Sequence, residues 1–147
     1  MATWADVRSI VRALPETEEK SARDWRVKGK LLVWERPLRR ADREALGKAA
    51  PTGDILGAWV PDLDTKEALL QARPRVYFTT PHFHGYPAVL VRLAVIGRDE
   101  LRELVTDAWL NRAPVRVKRA YLEAQSAVKP KAARRAVGST GSRARKR

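Results

Sequence analysis

The chain of 147 residues contains no cysteine. Disulfide staples, cysteine-ligated zinc, iron–sulfur clusters and thiol nucleophiles are therefore excluded together. Histidine is nearly as scarce, with His82 and His84 alone. A nucleotide-binding P-loop is absent, because Gly47-Lys48 lacks both the preceding glycine and the following Ser or Thr, and no Gly-x-Ser-x-Gly elbow occurs. Long apolar runs are lacking too. The longest, from Ala88 to Gly97, is interrupted by Arg92 and falls far short of the roughly 20 residues that a membrane span requires. Met1 to Leu14 interleaves Asp6, Arg8 and Arg12 with apolar positions and contains no unbroken leader-like run, so a cytoplasmic protein without membrane association is expected.

Acidic residues are in deficit: 17 Asp and Glu face 30 Lys and Arg, a formal net charge of +13. This balance points to a polyanionic partner, with DNA first and other polyanions after it. The surplus is uneven. Lys129, Lys131, Arg134, Arg135, Arg143, Arg145, Lys146 and Arg147 place eight positive charges and no acid at the end of the chain. The same stretch holds Pro130, Gly138, Ser139, Gly141 and Ser142 and little that is large and apolar, a composition unable to offset its ordering entropy. The expected organisation is one domain over residues 1–128 and a disordered basic tail over 129–147. With 44% hydrophobic residues, the domain has enough apolar material for a core.

Periodicity supplies the elements. Thr3 caps a first helix in which Trp4, Val7, Val11 and Leu14 recur at spacings of three and four until Pro15. Glu16 to Lys20 reads as a polar connection. Trp25 and Val27, the Lys28-Gly29-Lys30 turn, and Leu31 to Trp34 then read as a β-hairpin. Pro37 precedes a short helix over Leu38 to Ala49, and Gly57 to Val60 forms a third strand ending at Pro61. Asp64 and Glu67 give a capping-box spacing for a helix closed by Pro74. Val76 to Phe78 is a fourth strand. Val89, Val91, Leu93 and Val95 alternate along a fifth, which reads as the longest. Asp99 caps a helix whose Leu101, Leu104, Val105, Ala108 and Trp109 make one apolar stripe, and a last helix follows Pro114 through Val117, Tyr121 and Leu122. This order specifies an α+β fold, a two-layer sandwich of one antiparallel sheet with helices mainly on one face.

Three segments carry a family resemblance in order along the chain. They are Ala13-Leu14-Pro15-Glu16-Thr17-Glu18-Glu19, the hairpin Trp25 to Trp34, and Gly85-Tyr86-Pro87-Ala88-Val89-Leu90-Val91-Arg92-Leu93. Together with Glu100 to Trp109 and Arg112-Ala113-Pro114 they resemble the MmcQ/YjbR family over roughly residues 3 to 123. The resemblance implies a small, secretion-chaperone-like fold, often called a double-wing DNA-binding fold. It supplies no agreed catalytic residues. The basic tail is a departure from the shorter members.

Candidate site residues follow from charge and side-chain type. Phosphate contacts are expected from Lys28 and Lys30 at the hairpin tip, from Arg39, Arg40 and Arg43, from Arg116, Lys118 and Arg119, and from the tail residues Arg134, Arg135, Arg143, Arg145, Lys146 and Arg147. Were all eight tail charges to engage duplex phosphates, log K would fall against log salt with a slope of about −7, from ~0.9 per contact. A solvated, arginine-rich surface is the competing account of these clusters. A ligand pocket is a further candidate, formed around Trp34, Trp59, His82, His84 and Tyr86. His82 and His84, at i and i+2 on an extended segment, would face one side, yet no third ligand is fixed among Glu35, Asp62 and Asp64, so neither metal nor cofactor is expected. The tryptophans read mainly as core, with Trp25, Trp34 and Trp59 available to line a groove on one sheet face. The expected function is non-catalytic DNA binding with low sequence specificity. A small-molecule or protein-partner module is the alternative.

Overall fold

The computed structural model describes residues 1–128, and the expected basic tail lies outside them. Two compact units divide the chain, Met1–Ala113 and the segment from Pro114 onward. In the first unit, α1 (Trp4–Arg12) opens with the expected cap: the Asp6 amide donates to Thr3 Oγ1 at 3.2 Å and the Thr3 amide to Asp6 Oδ2 at 3.0 Å. Its Trp4, Val7, Ile10 and Val11 are buried. Six strands follow in one antiparallel sheet, interleaved with three more helices.

The polar stretch after Pro15 is a strand, β1 (Thr17–Ser21), rather than a connection. It sits at the sheet edge beside β2 (Asp24–Val27), where charged side chains discourage pairing with another chain. β2 and β3 (Lys30–Glu35) form the expected hairpin. Lys28 and Gly29 at its tip both have positive φ, 49° and 84°, the geometry a two-residue turn needs to match strand twist. α2 (Arg40–Leu46) and a 3-10 turn (Gly47–Ala49) lead into β4 (Ile55–Trp59). The next helix, α3 (Leu63–Ala72), is capped by Asp62, not Asp64, with the Thr65 amide donating to Asp62 Oδ1 at 2.7 Å. The chain then reaches β5 (Tyr77–Phe78) at the far edge and returns through β6 (Ala88–Arg92), which inserts between β4 and β5.

β6 is shorter than its alternation implies, because the chain turns after Arg92 and leaves Val95 exposed. Within β6, Ala88 to Val91 are all buried, since both faces of this central strand are covered. α4 (Arg98–Arg112) starts one residue after Gly97, placing Asp99 and Glu100 in its first turn, where negative charge complements the helix dipole, rather than at the cap. Its predicted stripe from Leu101 to Trp109 is buried as expected. The second unit contributes α5 (Val115–Val128).

Register divides the sheet into two faces. Leu56, Ala58, Val89 and Val91 point to one side, in line with Val33 and Trp25, and this layer packs with α1 and α4. Gly57, Leu90, Ala88 and Ile55 point to the other, in line with Trp34 and Phe78. A smaller aromatic core forms there, closed by Phe83, Leu38 and Leu46. Trp25 is thus separated from Trp34 and Trp59 by the sheet itself, because it pairs with Val33, whereas Trp34 pairs with Gly57 and Trp59 stands two residues along β4 on the face of Gly57. The three cannot line one groove.

Candidate functional site

The structure distributes the expected phosphate-binding residues over distinct places. Lys30 is exposed at one end of β3, beside Lys28, whose Nζ lies 3.5 Å from Glu16 Oε1. Arg39, Arg40 and Arg43 follow the other end of that six-residue strand, about 20 Å away at ~3.3 Å per residue. The hairpin tip and α2 therefore do not form one patch. On α5, Lys118 lies two residues from Arg116, roughly 200° around the helix, whereas Arg119 shares the Arg116 side. Arg134, Arg135, Arg143, Arg145, Lys146 and Arg147 are outside the described residues.

α2 sorts its charges. Asp42 occupies a position that the stripe of Leu38 and Leu46 would give to an apolar residue, and it is buried. There it accepts from the Arg39 amide at 2.9 Å and meets Arg36 Nη2 at 3.1 Å, while Arg36 also donates to the Pro37 carbonyl and stacks on the Phe83 ring at 5.2 Å. Burial works to raise the Asp42 carboxyl, but the Arg39 amide and the Arg36 guanidinium outweigh it and hold the group below its ordinary value. The remaining acid of the helix, Glu44, pairs with Arg40 at 3.3 Å. Among the described residues, no carboxylate lies in ion-pair range of Arg39, Arg43 or Lys48, and all three are exposed. Arg39 at the N-cap, Arg43 on α2 and Lys48 on the following 3-10 turn are thus outward cations without an acidic partner, beside the exposed Arg40–Glu44 pair.

The expected pocket residues separate into two environments. Trp34 and Trp59 pack in the aromatic core, with centroids 6.4 Å apart and Phe83 6.3 Å from Trp34. His82 stands in a 3-10 turn (Pro81–Phe83) and His84 caps its end, so the two do not share the extended segment that would turn both to one side. His82 meets the Phe83 ring edge-on at 4.8 Å and Tyr86 is exposed. Of the five, His84 lines a cleft of about 560 Å³ between α2, α3 and residues 79–85, whereas Trp59 lines a different, smaller one beside Tyr77 and Glu100. Among the described residues no group of three His, Cys, Asp or Glu is placed to hold a metal ion.

A model of the YjbR family matches residues 12–111. The chain belongs to the YjbR family. It is similar to uncharacterized proteins of Mycobacterium tuberculosis and Mycobacterium bovis, each 58% identical over 125 residues that cover 83% of this chain and 97% of the relative. No solved structure matches it. Among the described residues of this YjbR protein, no helix is long and apolar enough to cross a membrane.

Sequence reasoning missed Lys66, the most buried lysine among the described residues at 7% exposure. Its Nζ donates to the carbonyls of Phe83 at 2.7 Å and Tyr86 at 2.8 Å, tying α3 to the loop that leads into β6. Burial lowers its pKa, with the nearby Glu67 opposing the shift. The signal was present: Leu63, Lys66 and Leu70, at i, i+3 and i+7, put a charge into an apolar helix stripe.

Proposed function

We propose that this YjbR protein is a non-catalytic, nucleic-acid-associated protein that binds the phosphate backbone of DNA with low sequence specificity. The observation that carries the reading is the sorting of charge on α2. With Asp42 turned inward onto Arg36 and Glu44 taken up by Arg40, Arg39, Arg43 and Lys48 remain free to neutralise phosphates. Elsewhere in the first unit much of the positive charge is matched in place, as in Arg8 with Glu19, Arg26 with Asp24 and Arg73 with Glu100. The other exposed cations of that unit without an ion pair among the described residues, Arg12, Lys20, Lys30 and Arg75, stand on separate elements, so the grouping of Arg39, Arg43 and Lys48 within ten residues favours this segment as the contact of the folded part. The eight cationic residues of the 129–147 segment add charge, which suits affinity rather than sequence readout.

Fluorescence anisotropy of labelled duplex DNA across a salt series tests this. Three forms are compared: the full chain, its Arg39→Gln/Arg43→Gln variant, and a chain ending at residue 128. Each lost phosphate contact reduces the slope of log K against log salt by ~0.9, so the double variant loses up to about 2 and the shortened chain up to about 7. Absence of binding by the full chain at about 50 mM salt, where such contacts are strongest, overturns the reading. An unchanged slope in the double variant removes α2 from it.

A further inference from the structure

The cleft beside the 3-10 turn has the features of a small-molecule site. Its volume of about 560 Å³ falls within the range such sites occupy. One wall is apolar, built from Leu46, Leu63, Leu70 and Pro81. The same lining brings in Lys66, on the helix face that carries Leu63 and Leu70, together with Thr79, and both are polar groups with capacity to spare. An ammonium has three N–H donors; Lys66 spends two on the Phe83 and Tyr86 carbonyls, and among the described residues no carboxylate lies in ion-pair range of it. Carbonyl dipoles orient this buried cation and Glu67 acts on it only from beyond ion-pair range, so no direct counter-charge meets it, and a buried charge without one is costly. Thr79 Oγ1 is likewise buried and without a hydrogen-bond partner.

We infer that this cleft binds an organic monoanion with an apolar body, whose head group takes the third Lys66 proton and the Thr79 hydroxyl while its hydrophobic part lies on Leu46, Leu63 and Leu70. Each observation narrows the class. A bare inorganic anion would leave the apolar wall unused, and a neutral apolar molecule would leave Lys66 without a direct counter-charge. Glu67, also on the cleft, repels a second negative charge and so selects one head group over two. The site is separate from the outward cations of α2 and stands whether or not those bind DNA.

The test uses the full chain and a matched pair of fluorescent probes, 8-anilinonaphthalene-1-sulfonate and N-phenyl-1-naphthylamine, which share their rings and differ in the sulfonate. The anionic probe is expected to bind one site at least about tenfold more tightly than the neutral one, the effect of one hydrogen bond to a charged group. Lys66→Met should remove that preference. Ala45→Trp introduces an indole into the cleft from an exposed helix position and should abolish binding of the anionic probe with the circular dichroism spectrum unchanged. Equal affinity for the two probes overturns the inference. So does undiminished binding of the anionic probe by the Ala45→Trp chain, which places it elsewhere, for example on the cationic residues after 128.

Discussion

Gly57 is required by a neighbour and not by its own backbone, and that distinction can be measured. It pairs with Trp34 across the β3–β4 ladder, and a Cβ added there would lie 2.5 Å from Trp34 Cε2 and 2.6 Å from Cζ2. Carbon atoms settle at about 3.5–4.0 Å, so the indole would have to retreat by roughly 1 Å or more. It has no room to do so, with Trp59 and Phe83 both ring-packed against it. Gly57→Ala should therefore cost about 1–3 kcal/mol, the usual range for overpacking. For a chain of this size that lowers Tm by roughly 2–12 °C, at ~2–4 °C per kcal/mol. The φ of Gly57 is outside the left-handed region, so alanine itself is not strained there. In a Trp34→Val background the same Gly57→Ala change should become neutral or stabilising by up to about 1 kcal/mol, because alanine reduces the entropy of the unfolded chain. Thermal and urea unfolding of the four chains gives the coupling energy directly. An equal loss in both backgrounds would show that the indole is not the obstacle and would refute the argument.

Two further outcomes follow from buried or hub charges. Arg36 and Asp42 are both almost wholly buried, so Asp42→Ala, which strands the guanidinium, should cost about 3–5 kcal/mol in urea unfolding. Arg36→Met/Asp42→Leu should recover most of that loss, and a double variant as unstable as the single would show that the charge was not the cause. Glu19 accepts two bonds from Arg8 at 2.8 Å, one from the Arg23 amide at 3.0 Å and one from Trp25 Nε1 at 3.1 Å. The Arg8 hydrogen bond dominates in lowering its carboxyl from 4.5 to about 2. A depressed carboxyl contributes stability that is fully present above its unfolded value and is lost as pH falls from about 4.5 toward 2. Glu19→Gln should flatten this part of the acid limb when urea stability is followed over that window, and an identical limb in both chains would exclude Glu19 as its source.

The fold was legible wherever one local rule decided the outcome. The α4 stripe, the Thr3 cap and the Lys28-Gly29 turn each rest on spacing within a few residues, and each holds in the structure. What escaped depends on contacts distant in sequence. β1 reads as a connection because Thr17-Glu18-Glu19-Lys20-Ser21 has no apolar face; it is a strand because β2 lies beside it and water takes its other side. The alternation running on to Val95 overextends β6, since hydrophobic period cannot show where the chain must turn back under Asp54 and Arg92. The family was legible from whole segments, Gly85 to Leu93 above all, and the match over residues 12–111 shows it. The sites were less so, for a physical reason. Arg39 and Arg43 stand out as cations without an acidic partner only because Asp42 beside them turns inward, and Lys66 stands out only because its ammonium meets carbonyls 17 and 20 residues away. Composition gave each of these residues the same charge it gives a solvated surface residue. The trace that sets Asp42 and Lys66 apart is positional, a charge standing where a helix stripe calls for an apolar side chain, and that pattern is legible in the sequence alone.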